Sequence, residues 1–278
     1  MENEVRLYTQ IFTAALLIWS CACHSEGVDV QEALRAKQFE AIEKVLNARE
    51  SEFKQGKLGE YDILDAYKPF YQSEDVFSNE LNDWIHKKPN SYIAHLARGT
   101  YYRKLGEFRR GTRYIQQTPA ENVRFMHQQF EIAKTDLRKA LSLNPRSFLA
   151  ILNLLNIELQ QGDEKESALL LREGTKLYPH TLLLRARYMV HLQPRWGGSY
   201  EAMDAFLRQS RAEGAPDPVL NLLMAIKLDD IGFTSEEHRD YDSAHDHYQR
   251  ALALCRAADR RFISSYVLHA ADWCSRNC

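Results

Sequence analysis

Ala140-Leu141-Ser142-Leu143-Asn144-Pro145 and Gly174-Thr175-Lys176-Leu177-Tyr178-Pro179 place two prolines 34 residues apart. The correspondence extends back from each proline. Ala133, Leu137 and Ala140 precede Pro145 by the same offsets at which Ser167, Leu171 and Gly174 precede Pro179. Side chains three and four residues apart share one face of a helix. Each stretch therefore reads as a helix that presses a small and apolar face on its neighbours. Gly162-Asp163 falls at a turn, because glycine takes the left-handed conformation that ends helices at little cost. A helix-turn-helix unit repeating every 34 residues cannot bury its apolar face alone, and stacking supplies the core.

The pattern continues outward. Asp240-Tyr241-Asp242-Ser243-Ala244 leads into Tyr248 and Ala251 at helical spacing, and Leu220-Asn221-Leu222-Leu223-Met224-Ala225-Ile226 supplies the helix before it. Another hairpin spans 182–210, with Met189 and Leu192 in one helix and Met203 and Leu207 in the other. Its turn is swollen to Pro194-Arg195-Trp196-Gly197-Gly198-Ser199. The unit before Pro145 has helices near 91–105 and 125–143, separated by an insertion over 106–123. Upstream, 30–53 is strongly helix-forming and 75–85 predicts a further helix. Residues 47–71 carry the weakest signal for regular structure and mark a possible joint. Residues 260–275 read as a capping helix. No run alternates β-branched residues between turns, so strands are not expected. The predicted fold class is all-α: stacked antiparallel helical hairpins, a tetratricopeptide-like solenoid over 28–278 with loop insertions at 106–123 and 194–199.

Composition narrows the function. The 278 residues are 45% hydrophobic and 27% charged, too apolar for a disordered chain. Lys and Arg number 36 against 38 Asp and Glu, a net charge of -2 that offers no overall attraction to nucleic acid. The five cysteines do not make a disulfide framework. Residues 11–20, IFTAALLIWS, are too few to span a bilayer and have the length of a signal-peptide apolar region. Ile18-Trp19-Ser20-Cys21 resembles a bacterial lipobox. That resemblance implies a leader over residues 1–23, lipid attachment at Cys21, and a chain held to the membrane by acyl groups in the cell envelope. The alternative is an uncleaved anchor or a buried cytosolic segment.

Motifs of common catalysis are missing. The sequence has no GxxxxGK[ST] or GxGxxG phosphate loop, no HExxH and no GxSxG. No catalytic residue and no cofactor are assigned, and the reading leans against an enzyme. His238, Asp242 and His245 would share a face only if one helix ran through them, and Asp240-Tyr241 reads better as a turn; no metal site is assigned. Residues 98–113 hold Arg98, Arg103, Lys104, Arg109, Arg110 and Arg113 against Glu107 alone, with Tyr101, Tyr102 and Phe108 interleaved. That composition suits a scaffold surface with internal salt links, or an anionic protein partner; nucleic acid is less favoured. The stretch 229–246 is its opposite, with seven acids and one base. Gly197 and Gly198 imply a shaped turn. Trp196 either plugs it or forms a ligand platform with Arg195, since Trp and Arg are favoured contact types.

The order Trp84, then Pro89-Asn90-Ser91, Arg110-Gly111, the helix from Ala133 to Pro145 and Pro194-Arg195-Trp196-Gly197-Gly198-Ser199 resembles the bacterial domain-of-unknown-function 4034 family, a tetratricopeptide-like group. The likeness runs over roughly 38–254. It implies the helical-repeat fold and no activity. The expectation is a non-enzymatic module that binds a protein or peptide in the envelope, with Arg98, Arg109, Arg110, Arg195, Trp196, Gly197 and Gly198 as candidate partner-binding residues. A small-ligand or catalytic site at the Arg110 and Trp196 loops, or a cytosolic scaffold or regulator, are the alternatives.

Overall fold

The structure is a computed structural model that describes residues 28–111 and 117–277. The leader and Cys21 lie outside the described residues. Every regular element described is helical, and no strand occurs among the described residues.

Three matching sequence strings start three of the main helices. Pro89-Asn90-Ser91, Pro145-Arg146-Ser147 and Pro179-His180-Thr181 each end in a hydroxyl that accepts a backbone amide three residues on, from Ala94, Ala150 and Leu184. Such a side chain satisfies a donor that the first helical turn leaves open. The helices begun in this way are α5 (Tyr92–Arg110), α7 (Phe148–Gln161) and α9 (Leu183–His191). Each is followed by a second helix: α6 (Ala120–Leu143), α8 (Glu164–Leu177) and α10 (Tyr200–Ala212). The fourth hairpin is α11 (Asp217–Glu237) with α12 (Tyr241–Leu254), separated by Arg239 at φ 61 and capped by Asp240.

The hairpins stack in two layers. The first helices α5, α7, α9 and α11 pack successively against one another, and each packs on its own second helix. The residues that set the 34-residue register lie where expected: Ala133, Leu137 and Ala140 are buried, as are Ser167, Leu171 and Gly174. Gly174 faces α9 and α7 so closely that a Cβ there would meet Leu184 at 2.5 Å and Ile151 at 3.1 Å. The small residue at this register position is thus a packing requirement.

Several boundaries differ from the sequence reading. The 30–53 stretch is two helices, α1 (Val30–Arg35) and α2 (Phe39–Lys54), parted at Lys37, whose φ is 54. The stretch 47–71 is not a loose joint. It continues α2, then forms α3 (Glu60–Ala66) and a 3-10 turn (Lys68–Phe70), because Ile63, Tyr67 and Phe70 fall on one face and are buried. Helix α4 is Ser78–Lys87. The 106–123 insertion is shorter than its sequence limits: α5 continues to Arg110, and α6 already begins at Ala120. The C-terminal cap is two helices, α13 (Arg260–Tyr266) and α14 (Leu268–Asn277).

Two acids far from their partners in sequence fasten the ends. Asp229, buried in α11, accepts from the Ala270 amide at 2.7 Å and contacts His269 Nδ1 at 2.7 Å, which docks the start of α14. Glu60, at the start of α3, accepts from the Leu182 and Leu183 amides at 3.1 and 2.8 Å and caps α9. On α13, Arg261 donates to Asp62 and Asp65 of α3 at 3.0 and 2.6 Å and lies over the Tyr61 ring. Helix α3 therefore bridges from the third hairpin to the C-terminal cap, across the inner face of the first-helix layer.

Candidate binding site

The residues singled out by sequence engage different partners. Arg98 forms a two-pronged pair with Asp136 of α6, at 2.7 and 2.9 Å, and also donates to Asn82. Asp136 is buried and is shared with His95 Nδ1 at 2.9 Å. Arg109 donates to Asn122 and covers the Phe125 ring, and Arg110 donates to the Gly111 carbonyl. Arg98, Arg109 and Arg110 thus find these partners among α4, α5 and α6, whereas Arg195 finds its partner in α11. There Arg195 donates to the buried carboxylate of Asp230 at 2.6 Å and stacks on Phe233, 4.3 Å from the ring centroid.

The 194–199 loop is shaped residue by residue. Pro194 opens a 3-10 turn, and Gly197 closes it at φ 95. A Cβ on Gly198 would stand 2.1 Å from the Leu192 carbonyl oxygen. Ser199 then caps α10 through its hydroxyl. Trp196 remains 41% exposed at the rim of this turn. His238 is the C-cap of α11 and Asp240 the N-cap of α12, so no single helix carries His238, Asp242 and His245.

A different cluster gathers on the inner face, beneath the α3 bridge. From α5 come Arg103, Lys104 and Glu107; from α7, Asn153 and Gln160; from α9, Arg187; from α13, Tyr266; and Tyr61 and Tyr71 come from α3 and the segment after it. Arg103 pairs with Glu107 and donates to Asn153. Lys104 pairs with Glu107 at 2.9 Å and sits over the Tyr71 ring at 4.7 Å, while Gln160 donates to Glu107 at 2.8 Å. Lys104 and Glu107 keep side-chain exposures of 19% and 21%, so water reaches them although six segments of chain surround them.

The electrostatics follow from that enclosure. Burial opposes ionisation of Glu107, but the charges of Arg103 and Lys104 and the hydrogen bonds outweigh it and hold the carboxyl at about 2. Burial and the neighbouring Arg103 bring Lys104 down to about 8, against the pull of Glu107. Burial raises Tyr71 to about 12 and raises Tyr61 and Tyr266 as well, so all three phenols stay protonated donors at neutral pH.

Arg187 differs from the other inner-face arginine, Arg103. Its guanidinium lies 5.2 Å from the Tyr266 ring centroid and within electrostatic range of Glu107, Tyr71 and Tyr61. Among the described residues it makes no hydrogen bond and no ion pair. Tyr266 is only 5% exposed, and neither its hydroxyl nor that of Tyr61 has a hydrogen-bond partner among the described residues. A buried hydroxyl left unpaired costs about 1–3 kcal/mol, so each of these groups calls for a partner. Composition flagged Lys104 within the basic segment, but not Arg187. Its signal was a second arginine in the otherwise apolar Leu183-Leu184-Arg185-Ala186-Arg187 string.

No curated protein and no solved structure matches the chain. One family does, a domain of unknown function numbered 4034, over residues 27–174. The match takes in helices α1 to α7 and most of α8, and stops short of the 194–199 loop that carried the most distinctive part of the resemblance. It covers more than half of the sequence, and the chain belongs to the domain-of-unknown-function 4034 family.

Proposed function

We propose that this protein is a non-enzymatic helical-repeat module that binds a protein or peptide partner through the inner face of its first-helix layer. The observation that supports this most is Arg187 with the Tyr61 and Tyr266 hydroxyls, polar groups enclosed by the fold and not engaged by it. Tetratricopeptide-like stacks present such inner faces to partners, which is an argument from fold and weaker than one from the site. The Trp196 rim is a further contact point in this reading, and the family likeness adds no activity to it. The proposed location is the bacterial envelope, with the chain tethered by lipid on Cys21. Among the described residues, no helix is long and apolar enough to cross a membrane.

Crosslinking and pull-down from envelope extracts, with wild type beside Arg187→Ala and Trp196→Ala, tests the binding reading. A discrete partner lost in Arg187→Ala supports it. Failure to capture any partner refutes it, and a partner kept by Arg187→Ala moves the site elsewhere. Fractionation of wild type and Cys21→Ser tests the location: wild type found wholly in the cytosol refutes the envelope assignment.

A further inference from the structure

We propose that the Arg187 cluster holds its ligand by an oxyanion group, carboxylate or phosphate, gripped by Arg187 and by the hydroxyls of Tyr266 and Tyr61. This deepens the binding reading above and rests on it for the location of the site.

Three observations support the anion. The first is charge: Arg103, Lys104 and Arg187 face inward against Glu107, and Glu107 is already engaged by Arg103, Lys104 and Gln160. The other acids whose charge reaches these phenols are engaged elsewhere: Glu60 by the α9 amides, and Asp65 and Asp259 by Arg261. The second is donor supply. A guanidinium is donor-only and each protonated phenol adds an O–H donor, a set that an oxyanion with several lone pairs satisfies with charge-assisted hydrogen bonds. The third is incompleteness: Tyr266 is nine-tenths buried with an unpartnered hydroxyl beside an arginine that has no acceptor among the described residues. Helix α3 is pinned beside the cluster, at α9 by Glu60 and at α13 by Arg261.

Calorimetric titration of the full chain with three probes tests this: inorganic phosphate, a short acetylated alanine peptide with a free carboxylate, and the same peptide amidated. At least one of the two anions binds, and the amide does not. The arm that binds identifies the anion's source. Tyr266→Phe removes only the hydroxyl and is expected to keep the fold. It weakens binding roughly tenfold, as expected for one hydrogen bond to a charged group. Arg187→Ala abolishes binding and Arg187→Lys restores part of it, while Arg250→Ala, on the exposed side of α12, leaves it unchanged. Binding also weakens as pH rises through about 8, where Lys104 loses its proton among Arg103, Glu107, Tyr71 and Arg187.

Binding of neither anion overturns the proposal. So does unchanged binding in both Tyr266→Phe and Arg187→Ala. Equal binding of the acid and amide peptides overturns the oxyanion and leaves the peptide-binding reading standing. Phosphate binding with no partner captured from extracts does the reverse.

Discussion

Gly197 and Gly198 adjoin in one turn, yet their substitutions should fail for different reasons and by different amounts. Gly197 sits at φ 95, and no atom lies within 4 Å of where an added Cβ would stand, so Gly197→Ala meets only the backbone penalty of the left-handed region. That penalty is about 1–2 kcal/mol. The gain from a less flexible unfolded chain, about 0.4–1 kcal/mol, offsets part of it. The net loss is about 1 kcal/mol. Gly198 has no such backbone restriction, but its added Cβ would lie 2.1 Å from the Leu192 carbonyl oxygen and 2.4 Å from the carbonyl carbon. A carbonyl cannot swing aside as a side-chain end can, so the loop must move by about an ångström to reach ordinary contact. That movement pulls on the Gly198 amide bond to the Gln193 carbonyl at 3.2 Å and on the Ser199 cap of α10 at 3.1 Å. Overpacking at about 1–3 kcal/mol, plus one or two weakened hydrogen bonds at about 1 kcal/mol each, gives a net loss of about 3 kcal/mol. Urea unfolding followed by helical circular dichroism reads both variants, compared at equal slope. A Gly198→Ala protein as stable as Gly197→Ala would refute the close approach and the account of the loop built on it.

Four further outcomes follow from buried or bridging groups. Asp136→Ala strips the shared carboxylate from Arg98 and His95 and should destabilise the chain by about 3–5 kcal/mol in the same urea assay; a loss under about 1 kcal/mol would contradict the buried pair. Arg261→Ala releases α3 from α13, so amide exchange should quicken in α3 while α7 and α8 keep their protection. Because Glu107 is held at about 2, below its ordinary 4.5, its contribution is complete above 4.5 and is lost as pH falls from there towards 2. Glu107→Gln should therefore flatten the acid side of the stability profile. Burial pushes the Cys255 thiol up to about 11, and the residue is 2% exposed; iodoacetamide at pH 8 should modify it only after unfolding.

The repeat architecture was legible because its determinants are local. A proline, a hydroxyl two residues on and a small residue at a fixed helical offset act within one hairpin, and they recur in the sequence at the spacing they have in the fold. The turn at Gly162 and the one at Asp240 were readable for the same reason. The 47–71 stretch carries a weak local signal, yet Ile63, Tyr67 and Phe70 are buried in the fold. Its stability comes from partners at a distance, such as the α9 amides that meet Glu60 over more than 120 residues. No local window contains that information. The inner-face cluster was hidden in the same way, since α3, α5, α7, α9 and α13 each contribute only one to three of its groups.

Clusters of arginine in a sequence and arginines open to a ligand are different things, and this chain separates them. Arg98, Arg103, Arg195 and Arg261 all face carboxylates: Asp136, Glu107, Asp230, and Asp62 with Asp65. Two of those acids, Asp136 and Asp230, are almost fully buried, and a buried acid without its cation is strongly unfavourable. The acidic stretch 229–246 and the basic stretch 98–113 are therefore explained in part by internal pairing within the stack, with Asp230 holding Arg195 and Asp229 docking α14. Pairing of this kind fixes helices to one another and leaves little charge for a partner. Arg187 stands outside it. It is half-buried, and its guanidinium lies over the Tyr266 ring, whose hydroxyl itself has no partner among the described residues. Glu107 lies within electrostatic range of it but is paired with Arg103 and Lys104; an acceptor brought by a ligand satisfies Arg187, Tyr266 and Tyr61 together.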